Sequence, residues 1–159
     1  MRGIALDAAR EFLARNRIAV VGVSRNEKDF SREVLRALVK AGYDVVPVNP
    51  ALDLAEGRTC YPHVQDAKPP VEAALLLTPP AQTEEVVRDC ARAGVRHVWM
   101  HRGMGAGSAS AEALRYCDAQ GISVVTDLCP FMALQGSGFP HGLHARLRTR
   151  FGRPRLATV

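Results

Sequence analysis

Long apolar runs are missing from this sequence, and so are paired cysteines. No stretch approaches the roughly 20 consecutive apolar residues that a membrane-spanning helix needs, so we expect no membrane partner. The amino-terminal segment is charged and has no apolar signal core, which favours a cytoplasmic location. Four cysteines occur among 159 residues without a CxxC pair, a pattern that predicts neither a zinc site nor a disulfide framework. These cysteines are Cys60, Cys90, Cys117 and Cys129.

Aromatic residues are also scarce, at 6% of the sequence, so an aromatic platform on which bases could stack is missing. The formal net charge is +5, and much of the basic excess lies near the carboxyl terminus. A solvated helix face and tail explain these arginines better than a nucleic-acid site, and we expect no nucleic-acid partner. The arginines are Arg146, Arg148, Arg150, Arg153 and Arg155.

The motifs of common catalytic sites are absent as well. The sequence contains no GxSxG nucleophile elbow, no P-loop with its lysine, no HExxH zinc motif and no paired-carboxylate motif. We therefore predict no catalytic residues and no metal ligands. A ligand-binding module is favoured over an enzyme.

Three segments share one pattern, in which a glycine lies between a helical pattern and a short apolar run. Gly42, Gly94 and Gly121 each hold this place, and glycine tolerates the left-handed conformation that ends a helix. The apolar runs do not alternate with polar residues, as in strands that are buried on both faces of a parallel sheet. The predicted strands are 18–23, 44–48, 73–78, 96–101 and 122–126.

This alternation of strands and helices predicts an α/β fold: a single domain with a Rossmann-like, doubly wound parallel sheet of about five strands and flanking helices. Segment 49–70 holds four prolines, and we expect a short helical turn near 52–56 followed by a loop. The predicted organisation is an N-terminal helix packing on the domain (1–16), the Rossmann-like domain (17–130) and a C-terminal extension with a basic helix (131–159). The predicted helices are 5–15, 31–41, 81–93, 109–120 and 141–150.

Ligands of such sheets lie beyond the carboxyl ends of the strands, so the residues after each strand are candidate binding residues. The first strand ends at Gly22, Val23 and Ser24. Only the first glycine of a GxGxxG fingerprint is present, because Ser24 and Glu27 hold the other two glycine positions. A helix start favours anions, and Ser24 offers an N–H and a hydroxyl, so the loop predicts a phosphate site. Basic residues beside it are Arg25, Lys28 and Arg32.

The second strand ends at Asn49 and Pro50, where an NAD site needs an acidic residue for the ribose hydroxyls. This argues against NAD and leaves room for a nucleotide with a phosphorylated ribose or in another orientation. The third strand ends at Thr78 and Pro79. We expect Thr78 to cap the following helix, a role that is compatible with a place in the cleft.

The fourth strand ends at His101, followed by Arg102 and Gly103. A strand-end histidine without an identified acidic partner is expected to line the cleft or make a hydrogen bond rather than act as a catalytic base. Arg102 is equally compatible with holding an anionic ligand group and with a solvated loop, and Gly103 lets a ligand chain approach the backbone. Cys129 follows the fifth strand at the cleft, and we interpret it as a small, partly buried hydrophobe rather than a nucleophile.

Four segments resemble the small stand-alone CoA-binding proteins, which are similar to the N-terminal CoA-binding domain of the succinyl-CoA synthetase α subunit. They are AVVGVS at 19–24, GYDVVPVNP at 42–50, GRTCY at 57–61 and GVRHVW at 94–99. The resemblance covers about residues 12–130, and segment 42–50 is its most specific part. It implies a Rossmann-like fold with coenzyme A (CoA) in the cleft.

The resemblance also implies which residues contact the ligand. The adenine end would lie near 49–50 and 78–79, and the pantetheine arm would run toward the fourth strand end. Family members often carry a glutamine where this chain has His101 and an arginine where it has Leu128. The residues implied to hold the CoA phosphates are Gly22, Val23, Ser24, Arg25 and Lys28.

Three functions remain open. The leading hypothesis is a binding module for CoA or an acyl-CoA without catalysis of its own, because a phosphohistidine loop and a nucleotide-binding partner domain do not fit beside one Rossmann unit in 159 residues. The second is an NADP-dependent oxidoreductase, in which Arg25 meets a 2′-phosphate and His101 donates a proton. The third is a protein-interaction module with a vestigial cleft. A homodimer through the helices is compatible with each of them.

Overall fold

The computed structural model describes the backbone of residues 2–101 and 107–136 and the side chains of residues 6–101 and 107–134. The predicted helix 141–150 and the candidate site residues Arg102 and Gly103 lie outside the described residues. In chain order the elements are α1 (Arg2–Leu13), β1 (Arg17–Val21), α2 (Phe30–Lys40), β2 (Asp44–Val48), β3 (Leu54–Ala55), β4 (Arg58–Thr59), a 3-10 turn (Val64–Asp66), β5 (Ala73–Leu76), α3 (Pro80–Arg92), β6 (His97–Met100), α4 (Ala111–Ala119), β7 (Ser123–Val125) and α5 (Pro130–Gly136).

Five of these strands form one parallel sheet in the order β2-β1-β5-β6-β7. The chain first moves outward from β1 to β2 and then returns to place β5 on the other side of β1. The topological switch point therefore lies between β1 and β5. The predicted α/β fold, a Rossmann-like and doubly wound sheet of five strands, is confirmed.

Alternate residues of the strand β1 pack on opposite faces of the sheet. Ile18 and Val20 join the apolar core beneath α1 and α2, whereas Ala19 and Val21 join the core beneath α3 and α4. Because helices cover both faces, both sets of side chains must be apolar. This explains why the strand has no polar alternation.

Capping side chains and a glycine set the boundaries of α2 and the start of α4. At the start of α2, the Asp29 carboxylate accepts a hydrogen bond from the Ser31 N–H at 2.9 Å. Gly42 adopts a φ of +96° just beyond the end of α2, which stops the helix and turns the chain into β2. At the start of α4, the Ser110 hydroxyl accepts from the Ala113 N–H at 3.1 Å.

The segment after β2 differs from its prediction. The short helical turn expected near 52–56 is wrong, because β3 and β4 form an antiparallel hairpin there. The two turn residues, Glu56 and Gly57, have φ values of +51° and +70°. A two-residue type I′ turn requires this pair of positive φ values, and its twist matches that of the flanking strands.

The chain returning from the hairpin covers the outer edge of β2. The Tyr61 N–H donates to the Pro47 carbonyl at 3.1 Å, and the Asn49 N–H donates to the Tyr61 carbonyl at 3.0 Å. The Arg58 guanidinium adds a bond to the Val45 carbonyl at 3.4 Å. Pro47 has no N–H to leave unpaired, so proline is tolerated in this outer strand.

Helix α1 lies against the opposite part of the sheet. Its Phe12 ring meets the Trp99 ring of β6 edge-on, with centroids 5.3 Å apart, and both rings are buried. Trp99 Nε1 donates to the Leu128 carbonyl at 3.0 Å and so fixes the segment after β7. Helix α5, which was not predicted from the sequence, begins shortly afterwards at Pro130. Within the described stretches, no helix has both the length and the apolar character needed to cross a bilayer.

Candidate functional site

Gly22, directly after β1, lies against the backbone at the end of β5. A Cβ atom there would stand 3.1 Å from the Leu77 carbonyl carbon and 3.3 Å from the Thr78 nitrogen, so a side chain would force the neighbouring strand end to move. The φ of Gly22 is +93°, which also favours glycine. Close backbone approach at the switch point therefore requires this glycine.

Asn49 connects the end of β2 to the loop after β1. Its Nδ2 donates to the Val23 carbonyl at 2.6 Å, and its Oδ1 accepts from the Ala51 N–H at 2.7 Å. Beside it, the Gly22 N–H donates to the Val48 carbonyl at 3.0 Å. The amide thus ties two strand ends together, and an ionised carboxylate could not replace it because it has no donor.

The loop between Gly22 and α2 is held by its own side chains. The Ser24 N–H, expected to face a phosphate, donates instead to the Ser31 hydroxyl at 2.8 Å. The Ser24 hydroxyl accepts from the Asn26 N–H at 3.1 Å, and Asn26 Oδ1 accepts from the Lys28 N–H at 3.0 Å. The loop is preorganised, and the Ser24 hydroxyl proton has no acceptor among the described residues.

Arg25 and Lys28 are exposed beside the first turn of α2. The Arg25 guanidinium reaches the Ala51 carbonyl at 3.3 Å, so its side chain extends from the glycine loop to the segment after β2. The helix N-terminus adds partial positive charge, which the Asp29 carboxylate in the same turn partly offsets. Arg25 and Lys28 are the exposed cations of this loop, and Glu27, exposed between them, offsets part of their charge.

Arg32, the third basic residue noted beside this loop, is buried and paired. It is 5% exposed, and its Nε donates to the Ser24 carbonyl at 2.7 Å. Its Nη1 lies 3.0 Å from Glu56 Oε1, and Arg36 Nη1 lies 3.0 Å from the same oxygen. Arg32 therefore joins the glycine loop to the β3–β4 hairpin instead of facing a ligand.

Thr78 does not cap α3, contrary to the sequence prediction. The N-cap is Pro79, which makes no side-chain cap bond, and the helix begins at Pro80. Thr78 lies one position too early, and its buried hydroxyl pairs with the Thr83 hydroxyl at 3.0 Å. Thr83 also bonds the Pro79 carbonyl at 3.2 Å. The two threonines thus brace the first turn of α3 from inside the fold.

His101 follows β6 and is packed in a group of aromatic rings. Its ring stacks on Phe30 of α2, with centroids 4.8 Å apart and an interplanar angle of 28°. Phe30 in turn meets Phe131 of α5 edge-on at 5.5 Å. Burial lowers the pKa of His101 below its ordinary value of 6.5, so the imidazole is neutral at pH 7. No sequence motif pointed to Phe30 or Phe131, because the three rings come from elements far apart in the chain.

Cys129 is half-buried at the start of α5, as expected from the sequence. Its carbonyl accepts from the Met132 and Ala133 N–H groups at 3.1 and 3.2 Å, so its backbone begins the helix. The other three cysteines are buried, and burial raises the pKa of each thiol, which keeps them protonated at neutral pH. They are Cys60, Cys90 and Cys117.

The candidate residues fall into two groups along one edge of the sheet. Gly22, Asn49 and Thr78 meet at the switch point, whereas His101 and Cys129 follow β6 and β7. The first group is flanked by exposed cations, and the second by aromatic rings. In the part of the chain that the structure describes, no cluster of three metal-ligating side chains occurs. The arrangement suits an elongated ligand with an anionic end and an apolar end.

A doubly wound parallel sheet with a glycine loop at its switch point defines the protein as a Rossmann-like α/β domain. The profile of a family described as "CoA binding domain" matches residues 16–135. The chain belongs to this CoA-binding domain family, and the resemblance noted from the sequence is confirmed.

The chain is also similar to several proteins of known sequence or structure. The protein YneT of Bacillus subtilis (strain 168) is 29% identical over 121 residues, covering 76% of this chain and 87% of YneT. A hypothetical protein from Pyrococcus horikoshii OT3 has 30% identity and a TM-score of 0.76, covering 82% of this chain and 90% of that chain. The apo form of the Ca. Korarchaeum cryptofilum dinucleotide forming acetyl-coenzyme A synthetase 1 has 31% identity and a TM-score of 0.62. That match covers 74% of this chain and only 27% of the synthetase.

Proposed function

We propose that this chain binds CoA along the carboxyl edge of its sheet, with the charged nucleotide end at the switch point. The observation that carries this proposal is Gly22, in a chain of the CoA-binding domain family. The loop after β1 passes so close to the end of β5 that a Cβ atom would lie 3.1 Å from Leu77. Ligands of doubly wound sheets lie in the crevice at this point, where a glycine lets the nucleotide approach the backbone.

The phosphates of CoA lie, in this proposal, on Gly22, Val23 and Ser24, between Arg25 and Lys28. CoA carries a pyrophosphate and a 3′-phosphate, hence several negative charges. Both cations are exposed beside the first turn of α2, and the Ser24 hydroxyl proton is available to a phosphate oxygen. Charge-assisted bonds from guanidinium and ammonium groups to phosphate are stronger than neutral ones.

The adenine end lies near Asn49-Pro50 and Thr78-Pro79. Pro50 and Pro79 are exposed on the two sides of the switch point and offer apolar ring surface to a base. Asn49 and Thr78 use their polar atoms to hold the strand ends in place. Position 49 carries no carboxylate, so it does not repel a phosphorylated ribose.

The pantetheine arm runs along the edge toward the second group of candidate residues, following the strand order from β5 to β7. We assign no catalytic step to this site, and the chain acts as a binding module for CoA or an acyl-CoA. The residues proposed for this end are His101, Arg102, Gly103 and Cys129.

The wider organisation is proposed on the same basis. Residues 1–16 form a helix that packs on the domain, residues 17–130 form the ligand-binding unit, and residues 131–159 form a basic extension. The packing of Phe12 on Trp99 supports the first assignment. We also propose a cytoplasmic location, which free cysteines favour, and a homodimer that mass measurement in solution would test.

Titration calorimetry with CoA, dephospho-CoA and NADPH at two salt concentrations tests the function. We expect micromolar CoA binding that weakens at high salt and without the 3′-phosphate. Arg25→Gln and Lys28→Gln should each lose about tenfold in affinity, since a hydrogen bond to a charged group contributes about 1.5 kcal/mol. Arg92→Gln is the matched control, because Arg92 is exposed in the last turn of α3 at the opposite edge of the sheet.

Each alternative has its own outcome in this experiment. Binding of NADPH without CoA would overturn the proposal in favour of the oxidoreductase. If none of the three nucleotides gives a binding signal, the protein-interaction module is favoured. If the Arg92 control loses as much CoA affinity as the two loop variants do, the phosphates do not bind at the glycine loop.

A further inference from the structure

The His101 ring has one nitrogen that is buried and unpaired. His101 is 9% exposed and its ring stacks on Phe30, and its Nδ1 has no hydrogen-bond partner among the described residues. Among buried backbone groups, an N–H without an acceptor is rarer than an acceptor without a donor, and the same cost applies to a buried ring N–H. We therefore assign the proton of the neutral ring to Nε2, which leaves the bare lone pair on Nδ1.

The other nitrogen of the same ring is the one left for a partner. Within the described part of the chain, Nε2 makes no hydrogen bond, and it is not among the buried unpaired atoms. The Nε2–H group is thus a donor at the carboxyl edge of the sheet. The lowered pKa of His101 keeps it a neutral donor at pH 7, which suits a carbonyl oxygen better than a phosphate.

Two aromatic rings lie beside this donor. Phe30, which stacks on His101, is 37% exposed, and its ring meets the Phe131 ring of α5 edge-on. The thiol of free CoA is a weak hydrogen-bond partner, so it would gain little affinity from this donor and these rings. A thioester offers both a carbonyl oxygen for the donor and an acyl chain for the rings.

We propose that His101 is a specificity-determining residue that donates its Nε2–H to the thioester carbonyl of an acyl-CoA with an uncharged, apolar acyl group. This inference rests on the CoA site proposed above and names the class of ligand that the site prefers. Phe30 and Phe131 pack against the acyl chain.

Calorimetry with butyryl-CoA and CoA on the full chain tests this inference. Wild-type protein should bind butyryl-CoA about tenfold more tightly than CoA, the effect of one good hydrogen bond and a partly buried propyl chain. His101→Phe keeps a ring against Phe30 but has no donor, so it should lose most of this preference. His101→Gln restores a side-chain N–H and should recover part of it, and the preference is read in each variant as the ratio of its own affinities for butyryl-CoA and CoA.

A second readout does not depend on affinity. Nitrogen chemical shifts of the imidazole, measured by NMR on the free protein, should show the Nε2–H tautomer for His101. His63→Gln, at an exposed histidine outside the aromatic group, should bind both ligands as the wild type does. Equal affinity for butyryl-CoA and CoA, or an Nδ1–H tautomer, would overturn this inference alone. Failure to bind either ligand would overturn the proposed function and this inference with it.

Discussion

Arg32 in α2 and Glu56 at the tip of the β3–β4 hairpin form an ion pair across 3.0 Å, although 24 positions separate them in the chain. The Arg32 side chain is 6% exposed and that of Glu56 is 22% exposed, so water screens the pair poorly. Because Arg32 also holds the Ser24 carbonyl, the pair fixes the glycine loop relative to the hairpin.

Breaking this pair should destabilise the fold measurably. Glu56→Gln leaves a buried guanidinium without its counter-charge, and we expect a loss of about 2 to 3 kcal/mol in urea denaturation. The same substitution at Glu84, whose pair with Arg88 is exposed, should cost less than about 1 kcal/mol. If the two variants lose the same free energy of unfolding, the buried Arg32–Glu56 pair stabilises the fold no more than the exposed Arg88–Glu84 pair does.

The close approach at Gly22 predicts a second, larger effect. Gly22→Ala combines a φ of +93° with a Cβ atom 3.1 Å from Leu77, and should cost about 3 kcal/mol. Gly121→Ala is the matched control, because its φ of +66° is similarly strained but no atom lies within 4 Å of the added methyl group. That variant should lose only about 1 kcal/mol in the same urea titration. The prediction fails if Gly121→Ala proves as costly as Gly22→Ala.

Asn49 predicts an effect that separates donor from acceptor. Asn49→Asp keeps the acceptor for Ala51 but removes the donor to Val23, and should destabilise the protein by about 1 to 2 kcal/mol in thermal or urea unfolding. Asn26→Asp is the control, since the Asn26 side chain accepts a bond from the Lys28 N–H and should tolerate the change. The structural role of the amide would be contradicted if Asn49→Asp left the free energy of unfolding unchanged, or if this variant gained NAD binding.

Among the described residues, His97 and His101 each have a buried Nδ1 without a hydrogen-bond partner, and the two side chains predict how stability depends on pH. Burial lowers the pKa of His97 and His101 below the ordinary 6.5, so the unfolded chain takes up protons more readily than the folded one. The stability that the two neutral side chains contribute is fully present above about pH 6.5, and it is lost as the pH falls from there toward their lowered pKa values in the folded state. Urea midpoints at pH 7 and pH 5 should therefore fall less in His101→Gln than in the wild type. An identical fall in both proteins would mean that His101 is not desolvated.

The strands and helices were predictable where local chemistry alone decides them. Gly42, Gly94 and Gly121 marked helix ends from sequence alone, and each has a positive φ. The hairpin escaped prediction because Glu56-Gly57 is a weak form of the usual Asn-Gly signal, and the ion pairs that hold Glu56 come from α2.

Of the candidate site, only the backbone positions at the strand ends were predictable. Gly22 and Asn49 were identified because strand ends and switch points follow from the order of elements. The roles of Arg32, Thr78 and His101 depend on neighbours brought in by tertiary packing, and no spacing in the sequence encodes those neighbours.

The covered edge of β2 has a consequence for how this protein behaves at high concentration. An outer strand with free N–H and carbonyl groups is a template on which other chains add strands and aggregate. In β2, the carbonyls of Val45 and Pro47 are already bonded, and Pro47 has no N–H to offer. Growth of intermolecular sheet from this side would first require Tyr61 to be displaced, so the segment that returns from the hairpin also protects the chain from aggregating along β2.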